Sequence, residues 1–179
     1  APVVGSYGRL DDDGNRYMRS VDLLYGLDFE NSGIAYAGTW QAMDYEAITQ
    51  MAPDLIIGGE WNLENRQKYE GIAPTIFIAN DTDSPMAFPQ LSADAVGLRD
   101  VYERQLSIYE ANLERARFAL PQVQGATYAK IQGWDGILNI FAGFGGFTKV
   151  LDDLGFVRTA FAQDMSDRGV VWGEEVSAE

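Results

Sequence analysis

The chain contains neither cysteine nor histidine. The first absence excludes disulfides, thiolate metal sites and cysteine nucleophiles. The second excludes every catalytic triad and metal centre that needs an imidazole. Basic side chains are scarce, 13 against 27 acidic ones for a net charge of −14. That balance excludes a general nucleic-acid binder, whose phosphate contacts need a basic surface. No window approaches the roughly 18 consecutive apolar residues of a membrane helix. No basic stretch followed by an apolar run opens the chain, and the start Ala1-Pro2-Val3-Val4-Gly5 reads as a mature or trimmed terminus. What is present is ordinary globular composition, 46% hydrophobic and 22% charged, in a length of 179 residues that suits one domain or two small ones.

Hydrophobic patterning reads as α/β. Val3-Val4 predicts the end of a buried strand that runs into a loop at Gly5-Ser6-Tyr7-Gly8, and Asp11-Asp12-Asp13-Gly14-Asn15 predicts a solvated loop with the wrong spacing for a calcium-binding EF-hand. Ile34-Ala35-Tyr36 is a short strand, followed by a loop at Gly38-Thr39-Trp40. Asp44 is the expected N-cap of a helix through Met51, which Pro53 stops. Asp54 to Gly59 and Thr75 to Ala79 are apolar on both faces, as parallel strands covered by helices are, with a short helix from Leu63 to Tyr69 between them. Tyr102, Leu106, Tyr109, Leu113, Ala116 and Leu120 recur at spacings of three and four. They predict one long helix, broken or kinked near its start by Gly97 and ended by Pro121. Beyond it come a strand over Ala126–Gln132, a turn over Gly133-Trp134-Asp135-Gly136, and a strand over Ile137–Phe141. A glycine-rich loop, a helix from Phe147 to Leu154 ended by Gly155, and a strand-like Val170-Val171-Trp172 complete the chain.

The glycine-rich stretch Gly143-Phe144-Gly145-Gly146 lacks the Gly-Lys-Ser/Thr end of a phosphate-binding P-loop and the spacing of the dinucleotide fingerprint. Its glycines instead let a loop pass close to a ligand or to neighbouring backbone. Asp152-Asp153 and Glu174-Glu175 are adjacent in sequence, point apart, and read as solvated carboxylates rather than as an acid/base pair. The aromatics say more. Tyr7, Trp40, Trp61, Trp134, Phe144 and Trp172 all lie in or beside loops after predicted strands, where open α/β sheets bind ligands. Arg9, Arg16, Arg19 and Arg66 lie near the same loops, and arginine supplies 10 of the 13 basic residues, which suits planar or anionic ligands.

The stretch from Gly38 to Ile48, with Met51-Ala52-Pro53-Asp54-Leu55-Ile56-Ile57-Gly58, resembles the N-x-E-x-I-x-x-L-x-P-D-L-I-I signature of the class III periplasmic ABC-importer binding proteins for ferric siderophores, haem and cobalamin. Ile72-Ala73-Pro74-Thr75-Ile76 resembles that family's I-A-P-T-V. Leu151-Asp152-Asp153-Leu154-Gly155-Phe156 resembles its L-x-D-L-G-L, and Val176-Ser177-Ala178-Glu179 its I-S-x-E, all in the family's order.

The resemblance implies an α/β fold of two Rossmann-like lobes joined by a long helix, both lobes incomplete. The expected divisions are an N-terminal lobe over 1–92 lacking its first strand and helix, a connecting helix over 93–121, and the start of a C-terminal lobe over 122–179. Family chains usually run longer at both ends, so a fragment is expected; a natural stop codon after Glu179 would refute that. The resemblance also implies a non-enzymatic importer component that captures a ferric siderophore in the cleft between lobes. Tyr7, Arg9, Trp40, Trp61, Arg66, Trp134, Phe144 and Trp172 would contact the ligand, and Trp40 matches a ligand-touching aromatic of the cobalamin branch. Glu46 and Glu179 match the two lobe-top carboxylates that dock on permease arginines. No catalytic residue, protein metal ligand or resident cofactor is expected, because the siderophore fills the coordination sphere of its iron. The implied partners are the siderophore and an ABC permease in the inner membrane, with no nucleic acid. The implied location is the periplasm, or the outer face of the cytoplasmic membrane through a lipid anchor. Cobalamin or haem binding by the same fold, a hydrolase using a carboxylate pair, and an interaction module with exposed aromatics are the alternatives.

Overall fold

A computed structural model describes residues 2–79, 86–134, 137–143, 145–170 and 173–176, except the side chains of Ser20 and Trp134. The chain divides into two compact units, Ala1–Ile78 and Ala79–Glu179.

In the first unit, strand β1 (Gly5–Leu10) turns back antiparallel into β2 (Arg16–Tyr17) and pairs in parallel with β3 (Ala35–Thr39). Helix α1 (Ser20–Tyr25) lies between β2 and β3 in the chain. Helix α2 (Tyr45–Met51) follows β3. Strand β4 (Ile56–Gly59), a 3-10 turn (Glu60–Asn65), helix α3 (Arg66–Glu70) and strand β5 (Thr75–Ile78) complete a second parallel pair, β4 with β5. The core gathers Ala37, Ile48 and Tyr69, with Met43, Tyr45, Met51, Ile56, Ile72 and Phe77 packed on it.

Local chemistry explains these boundaries. The Asp44 carboxylate accepts from the Ala47 N–H at 2.9 Å, so the N-cap read from the sequence is in place. The first strand is a correction: Gly5–Leu10 is the strand, not the loop after one. It forms because Gly5 and Gly8 admit Met51 and Phe29, whose side chains approach to 2.3 and 2.6 Å of where a Cβ would stand. The acidic segment after it is an exposed loop, as expected, tightened into a turn by its own side chains. Asp11 accepts from the backbone N–H groups of Asp13 and Asn15 and from the Asn15 amide, which lowers its pKa.

The second unit opens with α4 (Ala87–Ala95) and the 21-residue α5 (Arg99–Ala119). The expected break at Gly97 is real. This residue has φ +70°, Leu98 donates back to the Ala93 carbonyl at 2.8 Å, and the Arg99–Asp94 ion pair spans the joint at 2.5 Å. A 3-10 turn at Pro121–Val123 follows α5. Then come β6 (Thr127–Tyr128), β7 (Lys130–Trp134), β8 (Ile137–Phe141), α6 (Gly146–Asp153), β9 (Val157–Arg158), α7 (Ala160–Asp167) and β10 (Glu174–Val176). Strands β7, β8 and β10 form an antiparallel sheet in the order β10-β8-β7, and β6 pairs in parallel with β9.

Gly133 and Trp134 belong to β7 rather than to a turn, with Trp134 opposite Ile137. Helix α7 has no counterpart in the sequence reading. Its signals are the Thr159 cap, whose Oγ1 accepts from the Ala162 N–H, and the buried pair Ala162 and Met165 three residues apart. Among the described residues no helix is long and apolar enough to cross a membrane.

Candidate functional site

Two tryptophans of the first unit stand where parallel strands end. Strand β3 stops at Thr39, and the chain turns through Trp40 and Gln41 to Ala42. Thr39 and Ala42 exchange backbone hydrogen bonds at 3.0 and 3.1 Å. Gly38, at φ +97°, makes the turn possible, since a Cβ there would lie 2.4 Å from the Ala42 carbonyl oxygen. The turn leaves Trp40 51% exposed immediately before the capped start of α2. Trp61 follows the end of β4 in the same way. Its ring lies over Gly59, so close that a Cβ on Gly59 would fall within 2.3–2.5 Å of ring carbons, yet it remains 41% exposed. Next to it the Asn62 amide donates to the Tyr69 hydroxyl at 3.2 Å, tying this turn to α3. A ring held on one side by backbone and open on the other is a stacking platform.

The β1–β2 hairpin carries two arginines, on opposite faces. The register sets Arg9 opposite Tyr17 and Leu10 opposite Arg16. Directly opposed residues share a face and neighbours along a strand alternate, so Tyr7, Arg9 and Tyr17 share one face and Arg16 takes the other. Arg16 stacks over the Tyr36 ring at 4.5 Å, and Phe29 meets the same ring edge-on at 5.3 Å. Among the described residues no carboxylate lies within salt-bridge distance of Arg9 or Arg16. Arg66, by contrast, is held by Glu70 one helical turn away at 2.6 Å. Glu46 is exposed in the first turn of α2, where the helix dipole favours a carboxylate. Phe144, Trp172 and Glu179 lie outside the described residues, as does the side chain of Trp134.

The second unit holds two polar networks that the sequence reading missed. Asp152 and Asp153 do point apart, but they are half-buried and paired rather than left to solvent. Asp152 accepts from the Tyr128 hydroxyl at 2.6 Å and from Arg158 at 2.5 Å, and Arg158 also donates to the Ser166 hydroxyl at 2.9 Å. Asp153 accepts from the Tyr109 hydroxyl at 2.5 Å and from Lys149 at 2.7 Å, while Arg117 of α5 donates to its backbone carbonyl. Burial, and then the adjoining carboxylates, push the hydroxyls of Tyr109 and Tyr128 each up to about 12. Burial alone would raise the pKa of Asp153, but Lys149, Tyr109 and Arg117 outweigh it and hold the carboxyl low.

A shallow groove of about 380 Å³ between α5 and α6 is lined by Leu106, Tyr109, Leu113, Arg117, Lys149 and Asp153. Its cations are engaged by Asp153 and Glu114, so it leaves little for a charged ligand. The glycine loop serves structure as well. Gly143 packs under the Arg158 guanidinium, and the buried Thr148 hydroxyl donates to the carbonyls of Gly143 and Gly145. Glu174 is likewise engaged, by Arg168 at 2.7 Å. Two carboxylates converging on one reacting centre are therefore absent at 152–153. Among the described residues no group of His, Cys, Asp and Glu could hold a metal ion.

No family model and no curated protein matches the chain. Solved structures do. Staphylococcus aureus SirA complexed with staphyloferrin B superimposes with a TM-score of 0.79 at 18% identity, over 99% of this chain and 59% of that one. Staphylococcus aureus FhuD2 with bound ferrioxamine B gives 0.68 at 18% identity, over 89% and 61%. The siderophore periplasmic binding protein from the fuscachelin gene cluster of Thermobifida fusca gives 0.61 at 24% identity, over 84% and 57%. The chain thus has the fold of siderophore-binding proteins of the periplasmic-binding type, as the sequence motifs implied, and spans between half and two thirds of their length.

Proposed function

We propose that the chain belongs to the substrate-binding component of an ABC importer, which captures a ferric siderophore outside the cytoplasmic membrane and delivers it to a permease. The observation that carries this reading is the placement of Trp40 and Trp61. Trp40 follows directly on β3 and Trp61 stands two residues past the end of β4, and both are exposed, on a fold shared with siderophore-binding proteins. Open α/β folds bind ligands at such strand ends, and flat chelates pack on aromatic faces. Arg9, on the neighbouring strand, adds a cation free of internal pairing. Glu46 serves the permease: it is exposed and sits one residue beyond the first position of a capped helix, so a partner's arginine can reach it without competing with an internal bond. No chemistry on the ligand is required, and Asp152 and Asp153 are committed to Tyr128, Arg158, Tyr109 and Lys149.

Tryptophan fluorescence tests the proposal. Ferric siderophores quench emission on binding and the iron-free forms bind more weakly, with Trp40→Phe and Trp61→Phe each removing part of the signal. If no ferric siderophore of any class quenches the full chain, the proposal fails.

A further inference from the structure

We infer that Arg9 anchors the ligand and that the ligand is an anionic, oxygen-rich ferric chelate, bearing carboxylates or catecholates, rather than a neutral or cationic hydroxamate. The inference rests on the siderophore reading and narrows it to a chemical class. Its warrant lies in how the first unit distributes charge. In a chain of net charge −14, six of the ten arginines pair with a carboxylate among the described residues: Arg66, Arg99, Arg104, Arg117, Arg158 and Arg168. Arg9 does not, although three aspartates follow it in the hairpin turn. Asp11 spends its carboxylate on Asp13 and Asn15, and none of the three reaches Arg9.

Arg9 is only half exposed, and its Nε is closed off from solvent with no acceptor. A half-buried guanidinium with an unmet donor carries a desolvation cost that an incoming anionic oxygen offsets. Tyr7 stands two residues before it on the same strand, and Tyr17 is its cross-strand partner in the register. Arg fits planar, bidentate oxygen donors in a way a point charge does not. Arg16, on the opposite face, is occupied by stacking on Tyr36, which makes it an internal comparison.

The experiment measures affinities of the full chain, with folding checked by circular dichroism, for three probes. These are ferric citrate, the ferric complex of 2,3-dihydroxybenzoate, and ferrioxamine B as a cationic hydroxamate. The expected result is binding of one or both anionic chelates in preference to ferrioxamine B, weakening as salt rises. Arg9→Gln should weaken that binding about 10–100-fold, the loss of one or two charge-assisted hydrogen bonds. Arg9→Lys, which keeps the charge without the planar fork, should fall between it and the parent, and Arg16→Gln should stay within about twofold. Ferrioxamine B binding as well as the anionic chelates, or a folded Arg9→Gln protein with unchanged affinity, overturns the inference and leaves the siderophore reading standing. Binding of none of the three by the parent chain also overturns the inference, and the siderophore reading then rests on the fluorescence titration with every siderophore class.

Discussion

Replacing Asp152 by Asn separates a stabilising network from a decorative one. Asp152 holds two partners at once, the Tyr128 hydroxyl at 2.6 Å and Arg158 at 2.5 Å, and so joins α6 to β6 and β9. The Arg158 side chain is only 16% exposed and that of Asp152 33%, so the pair is screened far less than a surface pair. Asn keeps the shape but has one acceptor oxygen instead of two and no charge. One of the two accepted bonds is lost, and Arg158 loses its charged partner, keeping Ser166 and Tyr128. A charge-assisted bond contributes about 1.5–3 kcal/mol. With a third of the carboxylate in solvent, the expected cost is about 2 kcal/mol, read as a lower urea midpoint at unchanged slope in the transition of the second unit. In a Tyr128→Phe background the same change should cost less by about 1 kcal/mol, because one bond is already gone. Arg104→Gln is the control: its pair with Asp100 spans 3.6 Å with both side chains mostly in water, so the midpoint should not move. A loss below about 0.5 kcal/mol for Asp152→Asn, or strict additivity with Tyr128→Phe, would refute the reasoning.

Three further outcomes are expected. Asp44→Ala removes the bond to the Ala47 N–H and should cost about 1 kcal/mol in the first unit by urea unfolding, whereas Glu46→Gln, in the same helix turn but with no cap to lose, should cost no more than its dipole interaction, about 0.3 kcal/mol, and chiefly impair delivery to the permease. Gly59→Ala places a Cβ within 2.3 Å of the Trp61 ring, so the ring must leave its seat; the emission spectrum should shift, and ligand quenching by Trp61 should fall while that by Trp40 persists. At alkaline pH, Tyr109 and Tyr128 hold their protons to about 12, against an ordinary value of 10. The unfolded chain therefore ionises first, and the stability they contribute, complete below pH 10, should drain away as pH rises from 10 to 12. Tyrosinate absorbance together with melting temperature checks this, and Asp152→Asn should bring one of the two hydroxyls back toward 10.

What the sequence made legible follows from the range of the forces involved. The Asp44 cap, the Gly97 break and the helix ended by Gly155 are decided by contacts a few residues apart, and the β4–β5 strands by their unbroken apolar runs; all four stand in the structure. The strand over Gly5–Leu10 was hidden because its sequence, Gly-Ser-Tyr-Gly-Arg-Leu, looks like a loop; only Met51 and Phe29, arriving from elsewhere in the chain, reveal why glycine belongs there. The carboxylates at 152 and 153 misread for the same reason. Charge on a helix reads as solvent-facing until one knows that Tyr128 and Arg158 lie on one flank and Tyr109 on the other, up to 44 residues distant in sequence. The positions of Trp40 and Trp61 were legible because each lies within two residues of a strand end, and strand ends are a local signal.

The net charge therefore needs to be read by what it leaves over. A total of −14 argues against anionic ligands only if the charge is spread evenly, and it is not. In the second unit acid and base neutralise each other inside the fold, as Asp153 does with Lys149 and Asp152 with Arg158. In the first unit the hairpin withholds Arg9 from that pairing by register alone: the strand pairing that puts Tyr17 across from it leaves no carboxylate at the opposing position. Field strength at a site is set within about a Debye length, about 8 Å at physiological salt, so for a ligand already at the surface the unpaired Arg9 guanidinium counts for more than the chain's acids beyond the hairpin turn. The same acids slow an anion's approach from bulk. Raising salt should thus speed association of an anionic chelate even as it weakens the contact with Arg9, and a stopped-flow titration that separates on-rate from off-rate would show the two effects with opposite sign.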